Sequence, residues 1–466
     1  MKSKNLLILV IIVITSNISL VVNSCSAQYQ KLFTFDSTAL GKTPYGNLVS
    51  DGTYLYGLAS AGGNAGAGVL FKIKLDGTGY KKLVDFIAIK GSNPQGSLLL
   101  DGTDLYGMTN EGGASGAIGT IFKVKTDSTG FLKLHDFMSS DGTNPYGSLV
   151  SDGTFLYGMT NTGGANGLGT SFKIKKDGTG FAKISDFAGP NGSSPYGDFV
   201  YDGTYLYAPT YYGGSGTCFA GCGMVLKIKP DGTGFDSVLT FNTANGKSPR
   251  GSLIYDGTYL YGTTQVGGSH ALGNLFKVKP DRTGYVDMHD FSGFPSDGAN
   301  PFGSVVSDGT TLYGMTNTGG ANSVGSLFKI NKDGTGYTKL MDFATGSGRK
   351  PYGTPIIVGN ALYGMTSEDS TGHFGTIFKY SIPVGIDELS AEMGVNIFPN
   401  PFTNELRITC EKKGDLFLYD LEGKEILHQK AIAGETKINT EKIASGFYLI
   451  KYTDGTRAAT GRIVKF

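Results

Sequence analysis

The feature that most constrains this chain is a phrase that returns seven times. In Ser148 to Asn161 it reads "SLVSDGTFLYGMTN", and its Leu-Tyr pair recurs with the tyrosine at Tyr56, Tyr106, Tyr157, Tyr207, Tyr261, Tyr313 and Tyr363, at intervals of 50, 51, 50, 54, 52 and 50 residues. Copies at such a period specify a repeat architecture, each unit burying its apolar surface only against its neighbours. Residues 148 to 187 read as four short β segments: Ser148 to Ser151, Phe155 to Thr160, Thr170 to Lys175 and Phe181 to Phe187, designated A, B, C and D. Alternation in Phe172-Lys173-Ile174-Lys175 has the strand period, and Asp152-Gly153-Thr154 and Asp177-Gly178-Thr179-Gly180 punctuate the hairpins. Four strands in roughly 50 residues make one propeller blade.

The ends of the repeat region decide between a ring and an open solenoid. The last copy stops after its C strand at Phe378-Lys379-Tyr380, and the missing D strand stands at the other end, where Tyr29 to Phe35 ("YQKLFTF") matches Lys81 to Phe86 and Leu132 to Phe137. A chain that begins with D and ends with C can close its last blade with its first strand, removing the edges an open array must cap. The expected fold is therefore all-β: a seven-bladed β-propeller over residues 28–380, with its N-terminal strand closing the last blade. With 73 Gly and 16 Pro in 466 residues the chain is rich in turns, yet below the roughly 25–30% that marks low-complexity disorder. Forty Lys and Arg against 39 Asp and Glu give no electrostatic case for a nucleic-acid partner.

The phrases "LYGMTNTGG", "GTIFKVK" and "DGTG" resemble the GloVer-type repeat of exported bacterial proteins, over about three quarters of the chain. The resemblance implies a β-propeller-like scaffold and assigns no activity. After a linker at 381–393, residues 394–466 carry Val395 to Phe402 ("VNIFPNPF"), Leu416 to Ile426 ("LFLYDLEGKEI") and Ser445 to Ile450 ("SGFYLI"). These resemble a type A C-terminal sorting domain of the type IX (Por) secretion system. That resemblance implies a small β-sandwich, handling by the type IX machinery, and delivery to the outer cell surface or the medium.

The N-terminus agrees with export. Lys2 and Lys4 precede the apolar run Leu6 to Ile14 and a stretch of small residues, the order of a secretory signal covering residues 1–27, and the run is too short for a membrane span. Cleavage after Ala27 leaves Gln28 first; the alternative is lipidation at Cys25, with Asn23 departing from a lipoprotein box. No further transmembrane segment is expected. In an oxidising compartment Cys218 and Cys222 could bridge, leaving Cys410 free; free thiols or a metal site are the alternatives, and the loop offers too few ligands for zinc.

Catalytic chemistry is hard to find. The repeated Asp51, Asp101, Asp152, Asp202, Asp256 and Asp308 each precede Gly-Thr, which makes them turn residues, and Asp85, Asp136, Asp186, Asp290 and Asp342 recur too regularly for a catalytic group. His135, His270, His289, His373 and His428 lack partners at metal-ligand spacing, and the Gly-Gly pairs precede no helix that could cradle phosphate. Lys123, Lys125, Lys173 and Lys175 read as a solvated strand face. No catalytic residue, metal ligand or cofactor is assigned.

One constellation remains. At the start of each A strand stands Pro-x-Gly, where x is Tyr45, Gln95, Tyr146, Tyr196, Arg250, Phe302 or Tyr352. If A lines the channel, these form a ring at its mouth, on the face where the B–C and D–A loops gather and where the repeat varies most. The aromatic residues could stack on sugar rings while Arg250 and Gln95 hydrogen-bond; the alternative is packing between blades. The favoured function is a surface-displayed, monomeric binding or adhesion module for carbohydrate. The alternatives are a passive structural surface protein and a polysaccharide hydrolase or lyase, for which Glu111, Glu368, Asp369 and His373 are the weak candidates.

Overall fold

A computed structural model describes residues 28–35, 38–114, 117–214, 218, 221–370, 372, 374–382, 395–399, 402–420 and 423–465. The expected leader, most of the linker and His373 lie outside the described residues.

Residues 29–381 form seven four-stranded antiparallel sheets, each in the order A-B-C-D. In the third repeat the strands are Val150–Ser151, Phe155–Thr160, Thr170–Lys175 and Ala182–Asp186. The A ladder is shorter than the sequence suggests because the Ser148 amide donates to the Asp198 side chain in the next sheet instead of to its own B strand. The C–D pairing carries a bulge between Ser171 and Phe172, and the same irregularity returns in the other repeats.

The seventh sheet takes its D strand from the other end of the chain. Tyr29–Thr34 pairs with Thr376–Ser381, from Tyr29 opposite Tyr380 to Thr34 opposite Thr376, with the recurring bulge between Lys31 and Phe33. The Phe35 amide then donates to Gly375 O at 3.1 Å, as Phe86 does to Gly68 and Phe137 to Gly119.

Cores lie between sheets rather than within them. Tyr106, Met108 and Ile121 of the second repeat share one cluster with Leu149, Leu156, Phe172 and Ile174 of the third, and Phe35, Phe71 and Ile73 of the first share another with Tyr363 and Ile377 of the last. In six of the seven interfaces the phenylalanine ending the D strand inserts edge-on against a C-strand ring of the next sheet, as in Phe35–Phe71 at 5.3 Å, Phe86–Phe122 at 5.2 Å and Phe343–Phe378 at 5.4 Å, whereas Phe187 packs in one cluster with Leu226 of the fourth repeat. The A-strand ends meet at the centre. A Cβ on Gly46 would collide with Gly96 O, one on Gly303 would stand 2.5 Å from Gly353 O, and one on Gly353 2.5 Å from Gly46 O, so the cycle closes and only glycine fits there.

In the tail, Asn396–Phe398, Glu405–Cys410 and Gly434–Asn439 form one sheet. Gly414–Tyr419, Glu425–Ala431, Gly446–Thr453 and Ala458–Lys465 form a second. A single core holding Ile397, Leu406, Ile408, Leu416, Ile450 and Ile463 joins the two.

Candidate functional site

All seven x residues of Pro-x-Gly line one central cavity. The backbone aims them there: the residue before each proline, from Thr43 at φ 52° to Lys350 at φ 51°, adopts the left-handed conformation in every repeat without being glycine. Nothing in the local sequence announces that turn.

The side chains form an arc. Tyr146 packs on Tyr196 at 4.8 Å, Arg250 lies over Tyr196 and Phe302, Phe302 packs on Tyr352 at 4.9 Å, and Tyr352 meets Tyr45 edge-on at 4.6 Å. Contact between neighbouring sheets is thus real at this ring, yet all seven residues stay half-buried and keep surface on the cavity. Burial pushes the Tyr45 and Tyr196 hydroxyls up in pKa while the Arg250 charge opposes it. Gln95 interrupts the aromatic arc and donates to Asn93 at 3.2 Å.

Beneath the arc runs a polar girdle. The Asn47 amide donates to Ser97 Oγ at 2.6 Å, Ser97 to Ser148 Oγ at 2.7 Å, Ser148 to Asp198, Asp198 to Ser252 Oγ at 3.0 Å, Ser304 to Thr354 Oγ1 at 2.8 Å and Thr354 to Asn47 Oδ1 at 2.5 Å. Asp198 is the one carboxylate lining this throat, and burial raises its pKa against the hydrogen bonds from Ser148 and Ser252. Sequence reasoning passed over it, although "PYGD" departs visibly from its counterparts "PYGS", "PQGS" and "PFGS". The throat encloses about 80 Å³, a few waters by the ~10–15 Å³ each one needs, whereas a wider depression of about 540 Å³ opens beside it. Tyr45 and Gln95 belong to both, and Ala61, Ala65, Gly66 and Glu111 line the outer part.

The other sequence candidates take structural places. Asp152 Oδ1 accepts the Thr154 and Phe155 amides at 2.8 and 2.7 Å while Oδ2 accepts the Tyr157 hydroxyl at 2.6 Å. The pattern returns at Asp51, Asp202, Asp256 and Asp308, which explains the fixed spacing of Asp and the repeated Tyr. Asp136, Asp186 and Asp342 accept the Ala114, Ala165 and Ala321 amides and so pin their B–C loops. In the fourth repeat that position is Thr240, and the loop is tied instead by the Cys218–Cys222 disulfide. Cys410 is free and buried.

His135 stacks on Phe181 at 3.8 Å, and His289 stacks on Tyr337 at 3.5 Å while contacting Asp297 at 2.9 Å. Among the described residues no three His, Cys, Asp or Glu side chains come together as a metal site. The lysine reading needs correction at two positions. Lys125 and Lys175 are exposed, but Lys123 pairs with Asp104 at 2.7 Å and Lys173 donates to Pro230 O at 3.1 Å, joining its sheet to the next. Glu111 accepts from Asn93 at 3.0 Å, Glu368 pairs with Lys350 at 2.7 Å, and Asp369 is buried. These two glutamates occupy equivalent positions on either side of Ala61 in the first repeat.

Residues 19–220 and 215–391 match the Gloeobacter/Verrucomicrobia repeat, and residues 396–465 match the secretion system C-terminal sorting domain. No curated protein matches the chain in sequence. Among solved structures, an oligogalacturonate lyase in complex with manganese is similar at 13% identity and a TM-score of 0.50, over 76% of this chain and 93% of that one. PorZ, a surface component of the type-IX secretion system of Porphyromonas gingivalis, is similar at 14% identity and a TM-score of 0.46, over 91% of this chain, which spans 59% of PorZ. At such identity the likeness to the lyase is one of fold alone. Among the described residues no helix is long and apolar enough to cross a membrane.

Proposed function

Because this chain belongs to the Gloeobacter/Verrucomicrobia repeat family and carries a sorting domain that sends it across the outer membrane to the cell surface or medium, we propose that it is an exported carbohydrate-binding module. In this reading residues 28–380 are a seven-bladed β-propeller that works as a monomer, residues 394–466 are a β-sandwich address handled by the type IX machinery, 381–393 links them, and 1–27 is the leader. The observation that carries it is the convergence of Tyr45, Gln95, Tyr146, Tyr196, Arg250, Phe302 and Tyr352 on one cavity that broadens into a depression large enough for a short glycan. The 80 Å³ throat holds water at most, so the sugar lies across the mouth with its faces on the aromatic arc. The hydrolase or lyase reading is weaker, since Glu111 and Glu368 are already engaged and Asp198 stands alone in the throat.

The test is a glycan array probed with the mature chain and with Tyr146→Ala and Tyr196→Ala. Loss of a stacking ring should weaken binding by on the order of 1 kcal/mol, whereas loss of a fully packed aromatic would remove roughly 3–5 kcal/mol of folding stability. Lower melting temperatures with unaltered binding would return the ring to a packing role.

A further inference from the structure

Arg250 is the one cation in the ring, and its surroundings single it out from the other arginines whose side chains are described. Arg282 pairs with Asp236, Arg349 with Glu368, Arg407 with Glu405 and Glu435, and Arg457 with Asp454. Arg250 has no carboxylate partner among the described residues. Its guanidinium carbon lies 4.6 Å from the Tyr196 ring centroid, 4.8 Å from that of Phe302 and 5.8 Å from that of Tyr352. Aromatic faces hold the delocalised charge and fix the plane, but they accept none of its N–H groups, so the donor fork is left for a group in the cavity. Asp198, the carboxylate lining the throat, has Ser148 and Ser252 as its hydrogen-bond partners and not Arg250. A rigid, half-buried, unpaired fork at the rim is suited to two coplanar anionic oxygens.

We propose that Arg250 selects glycans bearing a carboxylate, such as a uronate residue, with the carboxylate docked at the mouth and the adjoining sugars running over Tyr45 and Gln95 into the depression lined by Ala61, Ala65 and Gly66. The inference rests on the carbohydrate-binding reading of this face and adds the ligand's charge.

The experiment measures binding of the mature chain to three probes: a glucuronate-containing tetrasaccharide, its carboxyl methyl ester, and a neutral tetrasaccharide of the same linkage. Wild type should prefer the free acid over the ester by tenfold or more, and added salt should narrow the gap. Arg250→Gln should lose that preference, while Arg250→Lys, which keeps charge without the fork, should retain only part of it. Melting curves of both variants identify any loss due to unfolding, and the Lys variant provides the comparison if the Gln variant is unstable. Equal binding of acid and ester by wild type overturns the inference while leaving the carbohydrate reading intact, as does an unchanged preference in folded Arg250→Gln. Failure of wild type to bind any of these probes or any array glycan overturns both.

Discussion

Asp198 and Asp297 show how one residue type takes opposite roles according to its partners. Asp297, 5% exposed, accepts from His289, Tyr337 and the Ser292 amide, and these hold its carboxyl down at about 2. The folded pKa lies below the unfolded one, so this stabilisation, about 2 kcal/mol, is present above pH ~4 and is lost as the pH falls through 2. Burial acts the other way on Asp198, raising its pKa, so its native state holds the proton longer and its stability contribution falls as pH rises out of the ordinary carboxylate range. Asp198→Ser, the residue found at that place in neighbouring repeats, should therefore stabilise the chain at pH 7, and the gain over wild type should shrink on acidification. Melting temperatures of the two proteins from pH 3 to 8 test this; a gap that widens toward low pH would refute the assignment.

At the scale of strands, the fourth repeat contains its own control. Elsewhere the B strand carries a glycine facing a C-strand phenylalanine, and a Cβ on Gly158 would stand 2.5 Å from the tip of the Phe172 ring. In the fourth repeat both partners change together: Ala208 lies opposite Leu226. Gly158→Ala alone should destabilise by roughly 1–3 kcal/mol through overpacking, and Phe172→Leu alone should open a cavity. The double variant should be more stable than the sum of the two losses predicts, and a double-mutant cycle by chemical denaturation with zero coupling would reject the pairing. That exchange is visible in the sequence, as were the strands, the turn aspartates and the Pro-x-Gly ring, because each obeys a short-range period. The short A ladder, the left-handed turn before each proline and the Lys173 contact to Pro230 were not, because each involves an atom outside its own repeat: Ser148 N–H reaches Asp198, Asn144 N–H in the turn reaches Ile118 O and Lys173 reaches Pro230 O.

For the molecule as a whole, the decisive contact joins its most distant parts. In an open array the seventh sheet would end on the C strand Thr376–Ser381, exposing an edge beside the Phe378 ring. The N-terminal strand covers that edge: Tyr29 stacks on Phe378 at 5.8 Å and Phe35 enters the first repeat's core with no exposed surface. Closure also brings Gly353 against Gly46 and Thr354 against Asn47, completing both the glycine cycle and this link of the polar girdle. Each end of the repeat region therefore stabilises the other, and no terminal repeat has to be capped with a polar face. Deleting Tyr29–Phe35 should remove at least the roughly 3–5 kcal/mol of one buried phenylalanine and expose a strand edge prone to association. A synthetic peptide of sequence YQKLFTF should rebind that edge and recover part of the lost melting temperature, while a scrambled peptide should not. Unchanged melting of the deletion would mean that the ring does not depend on its first strand.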